Sequence, residues 1–228
     1  MNYIKDVYNY NFENLNFLEC GAHKEGNETL LFVENNNCYY IEANPDDFDF
    51  LKQKPYIKKE NIFNLALSDY CGETSFTITT HPGNSSIKHS KEHFNELVGN
   101  CNALFYDINV PCVTYNHFID NVICKPIDFL VLDIEGHETH ILKTMFSLPV
   151  EKLPKFICIE AGYDWLERKK LLLEMGYNID FYYFNNVFLT HNTLNVEKNI
   201  DLLKEININC PNFIWHGKLI FENDSIYQ

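Results

Sequence analysis

Short apolar runs alternate with amphipathic segments along the chain, and this alternation predicts an α/β fold. Apolar runs of roughly four to eight residues suit strands, whereas apolar positions at helical spacing suit helices that bury one face. The predicted strands cover residues 17–20, 38–41, 62–67, 75–79, 110–114, 129–132, 156–159, 179–184 and 187–189. The predicted helices cover residues 27–34, 45–53, 90–98, 115–122, 138–146, 165–175 and 196–206.

The order of these elements predicts a single domain built on a mostly parallel sheet. Strands that alternate with helices form parallel sheets with helices on both faces. The last two predicted strands are separated only by Asn185 and Asn186, which suit the tight turn of a hairpin. We therefore expect an antiparallel strand at one edge of the sheet. The predicted domain consists of a core at 17–189, an N-terminal extension at 1–16 and a C-terminal extension at 190–228.

Composition and charge narrow the possible function classes. The chain has 228 residues and a net charge of -14, and its Lys and Arg residues form no basic cluster. Nucleic-acid binding depends on basic residues that neutralise phosphates, so we expect no nucleic-acid partner. No apolar run approaches the roughly 20 residues that span a bilayer, and the N-terminus lacks the apolar segment of a secretory signal. These features predict a cytoplasmic protein without a membrane partner.

The eight cysteines are scattered along the chain, and none has C-x-x-C spacing. This placement argues against a structural zinc site, which needs closely spaced ligands. Cys20, Cys38 and Cys158 lie inside or beside apolar strands. Cytosolic thiols stay reduced, so we expect these three cysteines to be buried and free.

Acidic residues crowd the end of the apolar strand predicted at residues 129–132. Asp133, Glu135 and Glu138 follow it closely, and Glu160 follows the next predicted strand. Ligands bind at the carboxyl ends of the strands in open α/β sheets, so this edge is the candidate active site. Adjacent carboxylates repel one another, so the cluster needs a compensating cation, proton or metal.

A glycine-containing turn follows the first predicted strand, and an acid ends the second. Gly21 lets a ligand approach the backbone closely, and the helix predicted after it offers free N–H groups. Glu42 stands 42 − 21 = 21 residues later, where an acid can accept hydrogen bonds from ribose hydroxyls. The turn is not G-x-G-x-x-G, which disfavours an NAD site. The alternative for the glycine turn is that it only connects a strand to a helix, and the alternative for Glu42 is that it is a solvated loop acid.

These motifs together resemble the FkbM family of S-adenosylmethionine-dependent methyltransferases over residues 17–189. The stretches that carry the resemblance are, in chain order, FLECGA, YYIEANP, NLALSDYCGETSF, GNSSI, DFLVLDIEGHE, PKFICIE, and LLLEMGY with NNVFL. The acidic block at 133–138 is the most specific of them. Three positions depart from the family pattern: His23 replaces an asparagine, Gly26 follows Gly21 by five positions instead of four, and Val131 replaces a lysine.

The resemblance implies a seven-stranded, Rossmann-like class I methyltransferase fold that uses S-adenosylmethionine. It implies that Glu42 holds the ribose hydroxyls, that Asp133 lies near the methyl donor, and that Glu135 and Glu160 shape the acceptor pocket. The implied cofactor-binding residues are Glu19, Gly21, Ala22, His23, Glu42, Ala43, Leu67, Ser68, Asp69 and Asp133. The implied reaction is O-methylation of a hydroxyl, and the expected partner is a small-molecule or glycan acceptor, preferably a saccharide or glycoconjugate.

A hydroxyl acceptor must lose a proton, and the sequence leaves several candidate bases open. They are His23, His81, His137, His191 and the carboxylates Asp133 and Glu160. His137 is the best placed of the histidines because it stands beside the acidic block, and His81 lies in a turn-rich loop at 80–86 that can cover the substrate. The candidate catalytic residues are Asp133, Glu135, His137 and Glu160. A divalent metal would suit the carboxylates, but no ligand set is specific enough to predict one.

Two other function classes fit parts of the sequence. An NAD-dependent or nucleotide-sugar-modifying enzyme would share the Rossmann-like sheet, and a non-catalytic module would keep the cofactor-binding fold without the reaction. The missing G-x-G-x-x-G turn and the acidic block at 133–138 favour the methyltransferase over the first alternative.

Overall fold

The computed structural model describes residues 4–80, 85–87, 104–162, 164–209, 212–215 and 218–222, with side chains as far as residue 206. His81 and the helix predicted at 90–98 lie outside these residues.

The described strands are β1 (Tyr8–Asn9), β2 (Asn16–Cys20), β3 (Asn37–Ile41), β4 (Ile62–Phe63), β5 (Ala66–Leu67), β6 (Gly72–Thr79), β7 (Phe105–Val113), β8 (Phe129–Leu132), β9 (Phe156–Glu160), β10 (Tyr177–Tyr183), β11 (Asn186–His191), β12 (Glu197–Lys198), β13 (Asn212–Trp215) and β14 (Lys218–Glu222). The described helices are α1 (Ile4–Val7), α2 (Pro45–Leu51), α3 (Tyr115–His117) with a π-helical turn after it (Phe118–Val122), α4 (Glu138–Met145), α5 (Trp165–Glu174) and α6 (Ile200–Asn209).

Seven strands form the central sheet in the order β10-β11-β9-β8-β2-β3-β4. Strands β4, β3, β2, β8 and β9 run parallel, and β11 is antiparallel to both of its neighbours, β9 and β10. The predicted seven-stranded, mostly parallel sheet is confirmed. The predicted edge position of the antiparallel strand is wrong, because β11 is inserted between β9 and β10. Strand β11 is apolar at three successive positions, a pattern typical of strands covered on both faces.

Alternating side chains of the central strands build one apolar core on each face of the sheet. On one face, the rings of Phe17, Phe129 and Phe156 stack across three neighbouring strands, with centroids 5.2 and 5.6 Å apart. Helices α1, α2 and α6 contribute buried side chains to this core. On the other face, Leu18 and Leu130 pack with side chains of α3, α4 and α5. The prediction of helices on both faces is thereby confirmed.

A second, three-stranded sheet in the order β5-β7-β6 stands beside the central one. The strand predicted at 62–67 is interrupted, because β4 belongs to the central sheet and β5 to the second. Asn64, between them, donates side-chain hydrogen bonds to the carbonyl oxygens of Glu42 (2.8 Å) and Ala43 (3.1 Å). These contacts turn the chain from one sheet to the other at the end of β3.

The helix predicted at residues 27–34 is wrong, because only a short 3-10 turn at Leu30–Phe32 forms there. The side-chain amide of Asn36 donates to the carbonyl oxygen of Phe32 at 2.8 Å. A continuing helix would satisfy that carbonyl with the backbone N–H of residue 36 instead. Asparagine side chains compete with the backbone in this way and end helices early.

Two boundaries near the C-terminus also differ from their predictions. Tyr183 pairs with Asn186, so the hairpin turn consists of Phe184 and Asn185 rather than the two asparagines. The helix predicted at 196–206 begins later, at Ile200, because Glu197–Lys198 forms a strand that pairs with Tyr8–Asn9. The side chain of Asn199 then accepts a hydrogen bond from the N–H of Leu202, as a helix N-cap does.

The N-terminal and C-terminal segments meet at a buried carboxylate, Asp180 of β10. The hydroxyl of Tyr8 donates to Asp180 at 2.6 Å, Thr190 donates to it at 3.2 Å, and Lys198 forms an ion pair with it. Burial raises the pKa of Asp180, and Lys198 opposes this shift. Both extensions are therefore joined to the edge strand by polar contacts as well as by the apolar core.

Cys20, Cys38 and Cys158 are buried and free, as the sequence predicts. Burial raises the pKa of the Cys38 thiol to about 12, which keeps it protonated and unreactive. None of the helices that the structure describes has the length and apolar character that crossing a bilayer requires.

Candidate active site

A cavity of about 230 Å³ opens at the carboxyl ends of β2, β3 and β8. Its polar wall includes Glu19, Glu42, Asp133, Glu135 and His137. Its apolar wall includes Leu65, Ala66, Leu67, Phe76 and Ile87. Gly21, Ala22, His23 and Ala43 also line the cavity. Of the sequence-predicted site residues, Ser68, Asp69 and Glu160 lie outside its lining.

The turn after β2 packs against the end of β8 through main-chain atoms. Gly21 has a φ of +79°, and a Cβ placed on it would lie 1.7 Å from the carbonyl oxygen of Asp133. The N–H groups of Gly21 and Ala22 donate to the carbonyl oxygen of Ile41 at 3.1 and 3.2 Å. Only glycine fits this position, because both the backbone conformation and the close approach exclude a side chain. The two strand ends are thereby held at a fixed separation beside the cavity.

Glu19 anchors the segment that follows the glycine turn. Its carboxylate accepts hydrogen bonds from the N–H groups of Glu28 (3.2 Å) and Thr29 (3.0 Å) and from the Thr29 hydroxyl (2.7 Å). Burial raises the pKa of Glu19 to about 8, although these hydrogen bonds oppose the shift. The carboxylate oxygens thus serve the chain itself and fix Glu28, which also lines the cavity.

Glu42 is buried at the end of β3 and faces the cavity, with 6% of its surface exposed. The alternative of a solvated loop acid is therefore wrong. The two carboxylate oxygens accept hydrogen bonds from the N–H of His23 (2.7 Å) and the N–H of Asn44 (2.8 Å). Burial raises the pKa of Glu42 to about 7, and nearby Asp47 adds to the shift. Each carboxylate oxygen keeps acceptor capacity, since it has two lone pairs.

A buried arginine, Arg168 of α5, pairs with one of the acids at the ends of β8 and β9. The Nη2 atom of Arg168 lies 2.6 Å from Oε2 of Glu138, with 1% and 0% of these side chains exposed. Arg168 also donates from Nη1 to the carbonyl oxygen of Glu160 at 2.6 Å. Oε1 of Glu138 accepts from the N–H groups of Ile134 and Gly136 and so shapes the acidic turn.

The sequence reading did not identify Arg168 as a site residue. The helical spacing of the sequence does indicate it, because Arg168 lies on the same face of the predicted helix as Trp165 and Leu172. These two apolar residues belong to the buried face of the helix. An arginine on such a face needs a buried anionic partner. The partner, Glu138, comes from another helix, so the pairing itself required the tertiary structure.

The remaining acids carry raised proton affinities. Burial is the largest cause in each case, and it raises the pKa of Asp133 to about 7, of Glu160 to about 8 and of Glu135 to about 10. Repulsion from neighbouring carboxylates adds to each shift. The cluster is therefore compensated by one guanidinium and by bound protons, as adjacent carboxylates require. Oxygens of Asp133, Glu138 and Glu160 lie within 4.8 Å of one another, but Glu138 already pairs with Arg168.

His137 lines the cavity and is the histidine that the structure brings to the acidic turn. Its Nε2 atom lies 3.3 Å from the hydroxyl oxygen of Ser68, and its ring stacks on that of His140 with centroids 4.4 Å apart. Ser68 is buried against His137, so its hydroxyl contacts this ring and not the cavity. Asp69, the next residue, is exposed.

The other candidate histidines are less well placed for catalysis. His191 lies at the opposite edge of the sheet, where its ring nitrogens contact Thr193 (2.8 Å) and the carbonyl oxygen of Met175 (3.0 Å). The prediction of His191 as a candidate base is therefore wrong. His23 lies on the cavity wall with its Nε2 atom 3.6 Å from a carboxylate oxygen of Asp47.

The end of the predicted loop at 80–86 and the residue after it lie at the cavity. The Ser86 hydroxyl donates to the carbonyl oxygen of Glu135 at 2.8 Å, and Ser86 also pairs with Thr77 of β6 through main-chain hydrogen bonds. Ser85 and Ile87, on either side, line the cavity. Glu135 itself has a φ of +58° and precedes Gly136, so the loop contacts the acidic turn at its most constrained point.

The sheet order and the carboxylate-lined cavity at its carboxyl edge define a Rossmann-like class I methyltransferase fold. The chain belongs to the FkbM methyltransferase family, because the model of the methyltransferase FkbM domain matches residues 19–182. The protein is therefore a methyltransferase, and its family membership disfavours the NAD-dependent alternative.

Similar solved structures are distant in sequence. Precorrin-6y C5,15-methyltransferase from Geobacter metallireducens is 13% identical over 78% of this chain and 78% of that chain, with a TM-score of 0.40. Precorrin 8w decarboxylase from Methanobacterium thermoautotrophicum is 13% identical over 78% and 80%, with a TM-score of 0.41. Ribosomal protein L11 methylase from Lactobacillus delbrueckii subsp. bulgaricus is 11% identical over 82% and 71%, with a TM-score of 0.37. These similarities are too low to support an argument about function. No curated protein matches the chain.

Proposed function

We propose that the protein is an S-adenosylmethionine-dependent O-methyltransferase that acts on a hydroxyl of a saccharide or glycoconjugate. Membership of the FkbM family supports the reaction class. The observation that carries the proposal is Asp133, a lining residue of the cavity whose carboxyl group has its pKa raised to about 7 by burial. A general base is most effective when its pKa lies near the working pH, so Asp133 suits the removal of a hydroxyl proton.

The cavity residues fit S-adenosylmethionine. The apolar wall that includes Leu67 and Ile87 suits a flat adenine ring, and Glu42 has acceptor capacity for ribose hydroxyls. Gly21 lets the turn after β2 pack against the end of β8, and this turn borders the space proposed for the methionine portion. When bound, S-adenosylmethionine supplies an electrophilic methyl group on a sulfonium centre, and the carboxylates beside it suit that positive charge.

The acids divide into groups that face the acceptor and groups that support them. Asp133 and His137 face the cavity, so both can take the hydroxyl proton, and the raised pKa favours Asp133. Glu138 is committed to Arg168. Repulsion from Glu138 adds to the raised pKa of Asp133, repulsion from Asp133 adds to that of Glu160, and Arg168 opposes both shifts. Correct positioning of acceptor and donor supplies much of the rate, roughly 7–11 kcal/mol in favourable cases.

A screen for methyl transfer tests the proposal. The protein is incubated with methyl-labelled S-adenosylmethionine and a panel of sugars, nucleotide sugars and glycoconjugates, with and without EDTA. We expect label in a saccharide hydroxyl. Transfer to nitrogen or carbon, or to acceptors without a sugar, would contradict the proposal. Loss of transfer in EDTA would show that a metal takes part. Its ligands would then be sought around Asp133.

Two variants separate chemistry from cofactor binding. Asp133→Asn keeps the shape of the side chain and removes the base, so transfer should fall by roughly 10²–10⁴-fold while S-adenosylhomocysteine still binds. Asp201→Asn makes the same change at an exposed aspartate on α6 and is the control. If Asp133→Asn retains full transfer, the proton is removed by another group, with His137→Gln as the next variant to test.

A further inference from the structure

One acid on the cavity wall, Glu28, belongs to the segment that follows the glycine turn. Its N–H donates to a carboxylate oxygen of Glu19 at 3.2 Å, and the next residue, Thr29, donates to the same carboxylate from its N–H and its hydroxyl. Glu19 is itself buried within β2. The place of Glu28 on the wall is therefore set by the central strand of the sheet.

The carboxylates of the cavity wall differ in what they are bonded to. Those of Glu19 and Glu42 each accept hydrogen bonds from main-chain N–H groups. Glu135 keeps its proton at neutral pH, since burial raises its pKa to about 10. Within the residues that the structure describes, no donor is bonded to the carboxylate of Glu28, which is only partly buried. That carboxylate is available to a ligand in the cavity.

The sheet order arranges the cavity wall in sequence. In the central sheet β3 lies next to β2, and β2 lies next to β8. The apolar wall comes partly from β5 of the second sheet, to which the chain turns after the end of β3. A cofactor with its adenine on this wall and its ribose at Glu42 therefore extends its methionine portion across the end of β2 towards β8.

Glu28 belongs to that far part of the wall. Repulsion from Glu28 contributes to the raised pKa of Glu19, on β2, and to that of Asp133, directly after β8. Together with its bond to Glu19 and its place on the cavity wall, this influence locates its carboxylate beside the ends of both strands.

We propose that Glu28 binds the ammonium group of the methionine portion and so selects a cofactor with an intact amino acid. An ammonium group offers three N–H donors, and an ionised carboxylate only accepts. Hydrogen bonds between charged partners are shorter and stronger than those between neutral ones. The assignment rests on the proposed function, because it requires S-adenosylmethionine in the cavity, and it leaves Asp133 to act on the acceptor.

The test compares two ligands on the full chain by calorimetry, with displacement titration for the weaker one. S-adenosylhomocysteine carries the ammonium group, and 5′-methylthioadenosine has the same nucleoside without the amino acid. Glu28→Gln keeps the size of the side chain and removes its charge. Glu34→Gln is the matched control, because it makes the same change at an exposed glutamate that does not line the cavity.

We expect Glu28→Gln to lose roughly tenfold or more in affinity for S-adenosylhomocysteine and to bind 5′-methylthioadenosine like the wild type. Glu34→Gln should match the wild type for both ligands. Unchanged affinity of Glu28→Gln for S-adenosylhomocysteine would overturn the assignment, and so would equal losses for the two ligands, which would show that Glu28 supports the cavity and not the ammonium group.

The proposed function fails by different results. If the wild-type protein does not bind S-adenosylhomocysteine, the proposed cofactor is wrong and the role of Glu28 falls with it. If the wild type binds it and Glu28→Gln binds it equally well, only the role of Glu28 is refuted. Transfer of label to an acceptor that is not a saccharide contradicts the proposed acceptor and leaves the role of Glu28 standing.

Discussion

The buried ion pair between Arg168 and Glu138 gives the sharpest stability prediction. We consider Arg168→Met, which keeps most of the side-chain volume and removes the charge. The variant leaves Glu138, with 0% of its side chain exposed, without its cation at 2.6 Å, and it also removes the donor to the carbonyl oxygen of Glu160. Breaking a buried pair by removing one partner costs about 3–5 kcal/mol, because the other charge stays buried and uncompensated. We expect a loss of this size in urea unfolding at pH 7.5.

The same two helices supply a control. Lys143 and Glu167 form a second ion pair between α4 and α5, at 2.7 Å, but both side chains are about half exposed. Exposed pairs contribute about 0–1 kcal/mol, so Lys143→Met should be close to neutral. Adding Glu138→Gln to Arg168→Met removes the uncompensated charge and should recover part of the loss. The reasoning is refuted if Arg168→Met and Lys143→Met destabilise the protein equally.

The pH dependence of this loss provides a second check on its cause. Arg168 lowers the pKa of Asp133 and of Glu160, so its removal makes their ionisation more costly at pH 7.5, and the difference between wild type and Arg168→Met should shrink from pH 7.5 to pH 5. A loss that stays constant over this range would point to packing instead of charge as its origin.

Three further predictions concern the site. Gly21→Ala should abolish S-adenosylhomocysteine binding in calorimetry, because its Cβ would lie 1.7 Å from the carbonyl oxygen of Asp133, and unchanged affinity would refute this. Ser68→Ala should change the NMR chemical shifts of the His137 ring at fixed pH, since it removes the hydroxyl 3.3 Å from Nε2, while Ser68→Thr should preserve them. Burial raises the pKa of Glu160 to about 8, so its ionisation destabilises the fold as the pH rises from about 4.5 through 8, and Glu160→Gln should flatten the fall in melting temperature over that range.

The sequence predicts the sheet edge well because its signals there are local. The run before Asp133 is apolar and short, and parallel strands place their carboxyl ends side by side, so Asp133 and Glu160 were expected to meet. The structure places their oxygens within 4.8 Å. The spacing from Gly21 to Glu42 likewise places both on the cavity wall. The roles of these residues in cofactor binding and catalysis stay predictions.

What the sequence did not predict depends on contacts between distant segments. The partner of Arg168 lies on another helix, and the hydroxyl of Ser68 faces His137 because a second sheet brings its turn against α4. The side chain of Asn36 ends the helical turn at Leu30–Phe32 by donating to the carbonyl oxygen of Phe32, and helix propensity alone does not predict this contact. The position of β11 inside the sheet also required knowledge of which strand it pairs with.

The carboxylate of Asp180 shows that the family boundaries and the folding unit differ. The family match covers residues 19–182, yet Tyr8, Thr190 and Lys198, which hold Asp180, all lie outside it. A fragment trimmed to the matched residues would keep a carboxylate inside the protein and discard every group that bonds to it, a costly arrangement. We therefore expect the flanking segments to be part of the minimal stable protein, and a shorter version to need an apolar residue in place of Asp180.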